Sequence, residues 1–363
     1  MKNCVIILLL YFGCSLQLFS NNEDTIASRK SFFLIPHAAY QQETSWSGGV
    51  AFGYYFKSND VSRISSVSGS AVYTALNQFM LNISPKLYFS DKKYFLFANL
   101  NLRNYPDYYF GVGNKPQNLK VGYVSRNFNV TLQPQYLISK QLYVGLSLSF
   151  KTENLQTDSS NSFLQQNIYN RFGDAGWKPY GQFTAGVVTA FDSRDNQFYP
   201  EKGMFAKLMT GTSPVWLGNT FSLSEFSIDV RKYQPIFRKH NLAFQGYVSG
   251  IFGETGIPFQ LLPTLGGRDM MRGFRQGMYR ENMMFLVQSE YRLPIYKRLK
   301  AAFFCSAGDV VNSSNFKIDK LKFGYGAGLR YRLNDARVHL RFDIAKNNYG
   351  EKLQFYITAT EAF

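Results

Sequence analysis

The stretch "KFGYGAGLRYRL", residues 322–333, decides the fold. Phe323, Tyr325, Ala327, Leu329, Tyr331 and Leu333 alternate with Lys322, Gly324, Gly326, Gly328, Arg330 and Arg332. Side chains that switch face at every residue mark a β-strand, here with one apolar face and one polar face. "RVHLRFDIA" (337–345) repeats the pattern, with Val338, Leu340, Phe342 and Ile344 against Arg337, His339, Arg341 and Asp343. So does "FLVQSEYRL" (285–293), where Leu286, Gln288, Glu290 and Arg292 share the second face. These runs are about 10 to 13 residues long, beyond the ~5–6 of soluble strands and right for a tilted strand crossing a bilayer.

Working outward from these segments gives about sixteen such runs. They fall near 31–40, 47–57, 60–73, 78–89, 93–104, 119–138, 141–152, 180–192, 203–213, 219–233, 240–251, 281–294, 299–311, 322–333, 336–346 and 352–363. The connections sort by length. Those after even strands are short, such as "SND" (58–60), "SDKK" (90–93) and "SKQ" (139–141). Those after odd strands include the long ones, near 104–119, 152–180 and 252–280. Membrane barrels have short periplasmic turns and long surface loops, whereas a soluble sandwich has no reason to sort its loops. The expectation is an all-β chain: a single 16-stranded antiparallel transmembrane β-barrel.

The chain opens on "MKNCVIILLLYFGCSLQLFS". Lys2, an apolar run from Val5 to Phe12 and a small residue at Ser20 read as a secretory signal over 1–20. Residues 21–30 then form a short periplasmic lead, and 31–363 the barrel. Aromatic residues make up 17% of the chain, which suits the girdles of a membrane barrel. The formal charge of +16 would suggest nucleic acid in a cytoplasmic protein, but the secretory signal argues against it. Basic residues lining a lumen, or facing outer-membrane lipids and lipopolysaccharide, fit better. Cys4 and Cys14 fall in the signal, which leaves Cys305 without an internal partner.

Four segments resemble the BamA/TamA superfamily of outer-membrane barrels, also called the bacterial surface antigen family. "FDSRDNQFYPEKGMFAKL" (191–208) is similar to that family's periplasmic turn and following strand. "GGRDMMRGF" (266–274) is similar to its surface-loop motif, with Met271 in the place of a usual Val. "FLVQSEYRLPI" (285–295) resembles the next strand, and "LQFYITATEAF" (353–363) the closing one. "YYFGVGN" (108–114) also resembles the family. The resemblance implies a barrel in a Gram-negative-type outer membrane with loop six, here about 252–280, folded into the lumen. It implies insertion or translocation of protein or lipid, with a separate periplasmic partner, and recognition by the host's barrel-assembly machinery during biogenesis. No polypeptide-transport-associated repeat precedes the barrel, so a member lacking those repeats is expected. The alternative is a passive pore or structural surface barrel.

The resemblance places a lumen anchor at Arg272, Gly273 and Phe274. An acid usually stands where this chain has Ser306, so Glu290 and Asp343, inward-facing by alternation, become the candidate partners, because a buried charge needs one. The basic residues Arg292, Arg330, Arg332 and Arg341 either select anions in a pore or form ion-paired networks with those acids. Asp192, Arg194, Asp195 and Gly203 read first as a hydrogen-bonded turn between two strands, and second as a partner contact. Phe355, Ile357 and Phe363 carry the closing-strand signal; Phe363 equally reads as a rim aromatic, and Glu361 interrupts the outward face. His37, His240 and His339 lie in no catalytic motif, and no His/Cys/acid cluster has metal-ligand spacing, so no enzyme activity, cofactor or metal is expected.

Overall fold

The computed structural model describes residues 30–41, 45–57, 63–115, 121–156, 178–237, 239–253, 256–318, 320–350, 352–359 and 361–363. The signal and nearly all of the lead lie outside the described residues, as does most of the loop near 152–180. The strands are β1 (Lys30–Gln41), β2 (Ser45–Phe56), β3 (Ser65–Thr74), β4 (Phe79–Phe89), β5 (Tyr94–Tyr109), β6 (Val121–Ser139), β7 (Leu142–Gln156), β8 (Tyr180–Asp192) and β9 (Gly203–Ser213). They continue with β10 (Leu223–Pro235), β11 (Asn241–Gly253), β12 (Thr264–Leu265), β13 (Tyr279–Arg280), β14 (Met283–Tyr296), β15 (Leu299–Val311), β16 (Lys322–Arg332), β17 (His339–Asn347) and β18 (Gln354–Thr358).

Sixteen of these strands form one sheet in chain order, every neighbouring pair antiparallel; β12 and β13 pair apart from it as a two-stranded hairpin. The sixteen expected strands are therefore present, and the expectation missed only the hairpin within the loop. Several boundaries differ by up to five residues: β5 runs on to Tyr109, β7 runs on to Gln156 and β10 begins at Leu223. The third strand begins at Ser65 rather than near 60. The last ladder ends at Thr358, so residues up to 363 do not continue it.

The faces are inverted relative to a soluble protein. Leu208, Val287, Phe303, Phe323, Tyr325 and Leu329 are exposed, while Glu290, Arg292, Arg330, Arg341 and Asp343 are buried. Alternation thus puts apolar side chains outside and charged ones inside, as a bilayer-facing wall requires. The sheet curls far enough to bring β1 and β2 to the turn between β16 and β17. Phe33 and Tyr55, on β1 and β2, pack with Leu333, Ala336 and Val338 between β16 and β17, and Asn334 donates to Ser31 at 3.1 Å. Among the described residues β1 and β18 remain the two ends of the sheet order.

Candidate functional site

The segment joining β11 to β14 lies against the inner face of the sheet. Its hairpin sets two turns close together: Gly266 N–H donates to Met270 O at 2.7 Å and Gly267 N–H to Phe274 O at 2.9 Å. Leu265, Met271, Phe274 and Tyr279 bury themselves against Met284, Leu286 and Val310 of β14 and β15. Gly273 has φ +101°, and a Cβ there would stand 2.6 Å from Lys346 O, so both conformation and space require glycine. Its N–H donates to the Tyr356 hydroxyl at 3.0 Å, and Asn347 donates to its carbonyl at 2.7 Å. The "YYFGVGN" segment completes this docking: Gly113 N–H donates to Arg280 O at 2.8 Å, and Tyr109 packs edge-on to Phe259.

This frame delivers Arg272 to a nest of charges. Arg272 Nη1 donates to Asp343 at 2.6 Å. Its Nη2 lies 2.8 Å from Glu290 Oε2, an ion-pair distance, but off the angle of a hydrogen bond. The guanidinium also sits 3.5 Å above the centre of the Phe304 ring. Arg330 bridges the same two acids, at 2.5 Å to Asp343 and 2.9 Å to Glu290. Arg292 donates to Glu290 at 2.8 Å, and Arg341 reaches Asp269 of the loop at 3.1 Å. Arg330 also donates to Glu361 at 2.9 Å. Four arginines (272, 292, 330 and 341) thus meet four carboxylates (269, 290, 343 and 361). That balance favours the ion-paired network over a bare anion-selecting ring, because buried charge persists only when compensated. Arg332 takes no part in it. Ser306 donates to Gly324 O at 3.3 Å and is not the partner of the loop arginine.

Space for the network comes from β16. A Cβ at Gly324 would collide with the Arg272 carbonyl oxygen, one at Gly326 would stand 2.6 Å from Phe304 Cζ, and one at Gly328 would meet Asp343. Gly324 therefore leaves room for the loop backbone, while Gly326 and Gly328 leave room for the side chains around it, Phe304, Asp343 and Arg330.

An Omp85 superfamily domain matches residues 63–363. The chain belongs to the Omp85 superfamily. Its fold is similar to BamA from Haemophilus ducreyi lacking POTRA domains 1–3, with TM-score 0.60 and 15% identity over 90% of this chain and 69% of that one. It is also similar to CdiB from Acinetobacter baumannii (TM-score 0.55, 14% identity, 90% of this chain and 59% of that one). CdiB from Escherichia coli gives TM-score 0.57 at 10% identity, over 90% and 61%. The chain thus spans less than two thirds of either CdiB structure. No curated protein matches the sequence.

In this Omp85 chain the turn between β8 and β9 is closed by its own charges. Arg194 clasps Asp192 with two side-chain contacts of 2.9 Å, and Arg63 grips the same carboxylate from the segment before β3. Burial alone would lower the pKa of the Arg194 guanidinium, but the hydrogen bond and charge of Asp192 outweigh it and raise it above the usual value. Asp195 Oδ1 accepts the N–H groups of Glu201 and Lys202 at 2.9 and 3.1 Å, and its other oxygen takes Arg337 at 3.0 Å. Lys202 therefore contributes its backbone, not its ammonium. Gly203, at φ +105°, lets the chain turn into β9 past Ser193. These contacts form the hydrogen-bonded turn of the first reading.

The chain end departs from the expected alternation. Phe355 and Ile357 are 51% and 48% exposed, on the outer face. Phe363 is 3% exposed and packs with Tyr233, Ala243 and Ala362, so it is not a rim aromatic. Glu361 points inward to Arg330, so it does not interrupt the outer face. Arg292 donates to Phe363 O at 3.2 Å and lies within 6 Å of the rings of Tyr199, Tyr233 and Phe363. Once the ladder stops at Thr358, strand parity no longer dictates direction, and the inner arginines draw the tail in.

Sequence reasoning missed Glu361 and Asp269 as network partners, and Arg63 as a partner of Asp192. An unpaired surplus of inward arginines was the signal that could have pointed to the two acids; nothing local identifies Arg63. His240 Nδ1 shares a hydrogen bond with the Tyr291 hydroxyl at 2.6 Å, and His339 Nδ1 lies 2.8 Å from Arg337 O. Among the described residues no group of His, Cys, Asp and Glu could hold a metal ion.

Proposed function

We propose that this Omp85 chain is a 16-stranded barrel of the outer membrane of a Gram-negative-type bacterium, with loop six locked in its lumen. In this reading it inserts or translocates polypeptide or lipid into or across that membrane, working with a separate periplasmic partner. The observation that carries it is the state of the two sheet ends. β18 pairs with β17 over only five residues, Gln354–Thr358, and the tail beyond it is drawn inward by Arg330 and Arg292. β1 offers twelve residues, Lys30–Gln41, whose second edge has no ladder among the described residues. An unpaired strand edge is a template for an incoming strand, which is the physics of β-augmentation. The ion-paired loop supports the same reading, since a plugged lumen makes the wall rather than the bore the working surface.

The test is reconstitution. Vesicles carrying the barrel should fold an added, urea-unfolded outer-membrane barrel at least about tenfold faster than empty vesicles, a difference of ~1.4 kcal/mol in barrier. Equal rates, together with steady open conductance in planar bilayers, would instead establish the passive pore.

A further inference from the structure

The sheet interior holds a second charged region, away from loop six and at the end of the short turns. A cavity of about 340 Å³ lies there, within the size range of small-molecule sites. One wall is aromatic, with Tyr88, Phe95, Phe97 and Tyr143. Four cations also line it: Lys86, on that same wall as the cross-strand neighbour of Phe97, and Arg194, Lys207 and Arg231.

The acids on this cavity are already engaged. Asp192 is held by Arg194 and Arg63. Asp229 is held by Arg231 at 2.6 Å and also accepts from Gln245 at 2.9 Å. Glu361 belongs to Arg330. Two ammonium groups are left over. Lys207 donates at 2.8 Å to Gln133, a neutral amide, with Asp229 acting on it only through space. Lys86 is exposed to solvent on the inner face of β4 and has no hydrogen-bond or ion-pair partner among the described residues. Its charge is faced by those of Arg194, Arg231 and Lys207. Two unpaired ammonium groups facing one cavity repel each other, and an anion placed between them relieves that repulsion.

We propose that this cavity binds a phosphate monoester group, held by Lys86 and Lys207, with any apolar part of the molecule on the aromatic wall. Charge balance selects the ligand. A carboxylate brings one negative charge, whereas a phosphate monoester brings about −1.5 to −2 at pH 7 and several strong acceptor oxygens, matching two ammonium groups. Lysine serves as a point-charge phosphate binder and needs no planar partner. This assignment is independent of how the sheet ends work, so either proposal can fail alone.

The test is isothermal titration calorimetry on the barrel folded in uncharged detergent. The probes are inorganic phosphate and dihexanoyl phosphatidic acid, with acetate as the control anion. One or both phosphate probes bind saturably at one site per barrel and acetate does not. K86Q weakens binding about tenfold or more, K86Q/K207Q abolishes it, and K86R retains it, as a loss of ion pairing requires. Binding of inorganic phosphate assigns a free phosphate; binding of the lipid alone assigns a headgroup. Heat-dependent gel mobility checks the fold of each variant, and the wild-type titration stands without any variant. Absence of saturable binding by either probe to wild type, or unchanged binding by a folded K86Q/K207Q, overturns the proposal.

Discussion

Replacing Arg272 with alanine should free loop six. The substitution removes a charged hydrogen bond to Asp343, worth about 1.5–3 kcal/mol. It also removes a guanidinium stacked 3.5 Å over Phe304, worth about 2 kcal/mol when desolvated. Together these fall in the ~3–5 kcal/mol range for breaking a buried pair from one side. Arg330 stays within 2.9 Å of both Glu290 and Asp343, so neither acid is stranded, and the lower end applies. At 1.4 kcal/mol per factor of ten, a loss of ~3 kcal/mol raises the undocked population on the order of a hundredfold. Hydrogen exchange read by mass spectrometry on peptides from 264–280 measures this directly. Exchange there should accelerate by about that factor while peptides of β6 keep their rates. Arg272→Lys keeps the charge but not the planar fork, and should fall between. Loop protection in Arg272→Ala within roughly threefold of wild type would refute the reasoning, since it would leave under ~1 kcal/mol for the whole contact set.

Gly324→Val should reproduce the Arg272→Ala exchange pattern with Arg272 intact, because its side chain occupies the place of the Arg272 carbonyl; a loop that stays protected would argue that β16 yields easily. Lys322→Met strands Asp309, both fully buried and 2.5 Å apart, and should cost about 3–5 kcal/mol in urea unfolding. The double variant with Asp309→Asn should recover most of that loss, and no recovery would mean the cost came from the Lys322 ammonium lost from over the Tyr279 ring, 4.3 Å from its centre. Glu361→Gln removes the fourth carboxylate of the network and should speed exchange of residues 359–363 with a stability loss of about 1–3 kcal/mol; unchanged tail protection would show that Phe363 packing alone holds the chain end.

The fold was legible because a two-sided wall writes its period into the chain. Sixteen alternating runs and the sorting of turns from loops needed no knowledge of tertiary contact. Glu290 and Asp343 could be singled out for the same reason: strand parity fixes which way an acid points. Parity fails where the ladder fails, which is why Glu361 and Phe363 were placed on the wrong face. The hairpin inside loop six was missed because two-residue strands carry no period. Arg63 with Asp192, and Lys86 with Lys207, are brought together only by the curl of the sheet, and no local spacing announces such pairs.

The glycine row of β16 has one more consequence. At Gly324 the loop is accommodated at its own main chain, through the Arg272 carbonyl, and Gly273 presses its backbone on Lys346 in the same way. Main-chain shape is common to all residues, so this seat is largely blind to which side chains the loop carries elsewhere. Arg268, Arg275 and Gln276 are exposed, and Arg268 meets the wall through its main chain, its carbonyl accepting from Arg341 at 3.1 Å. Natural variation can therefore rewrite those positions, and with them the character of the surface the loop offers, without disturbing how it is moored.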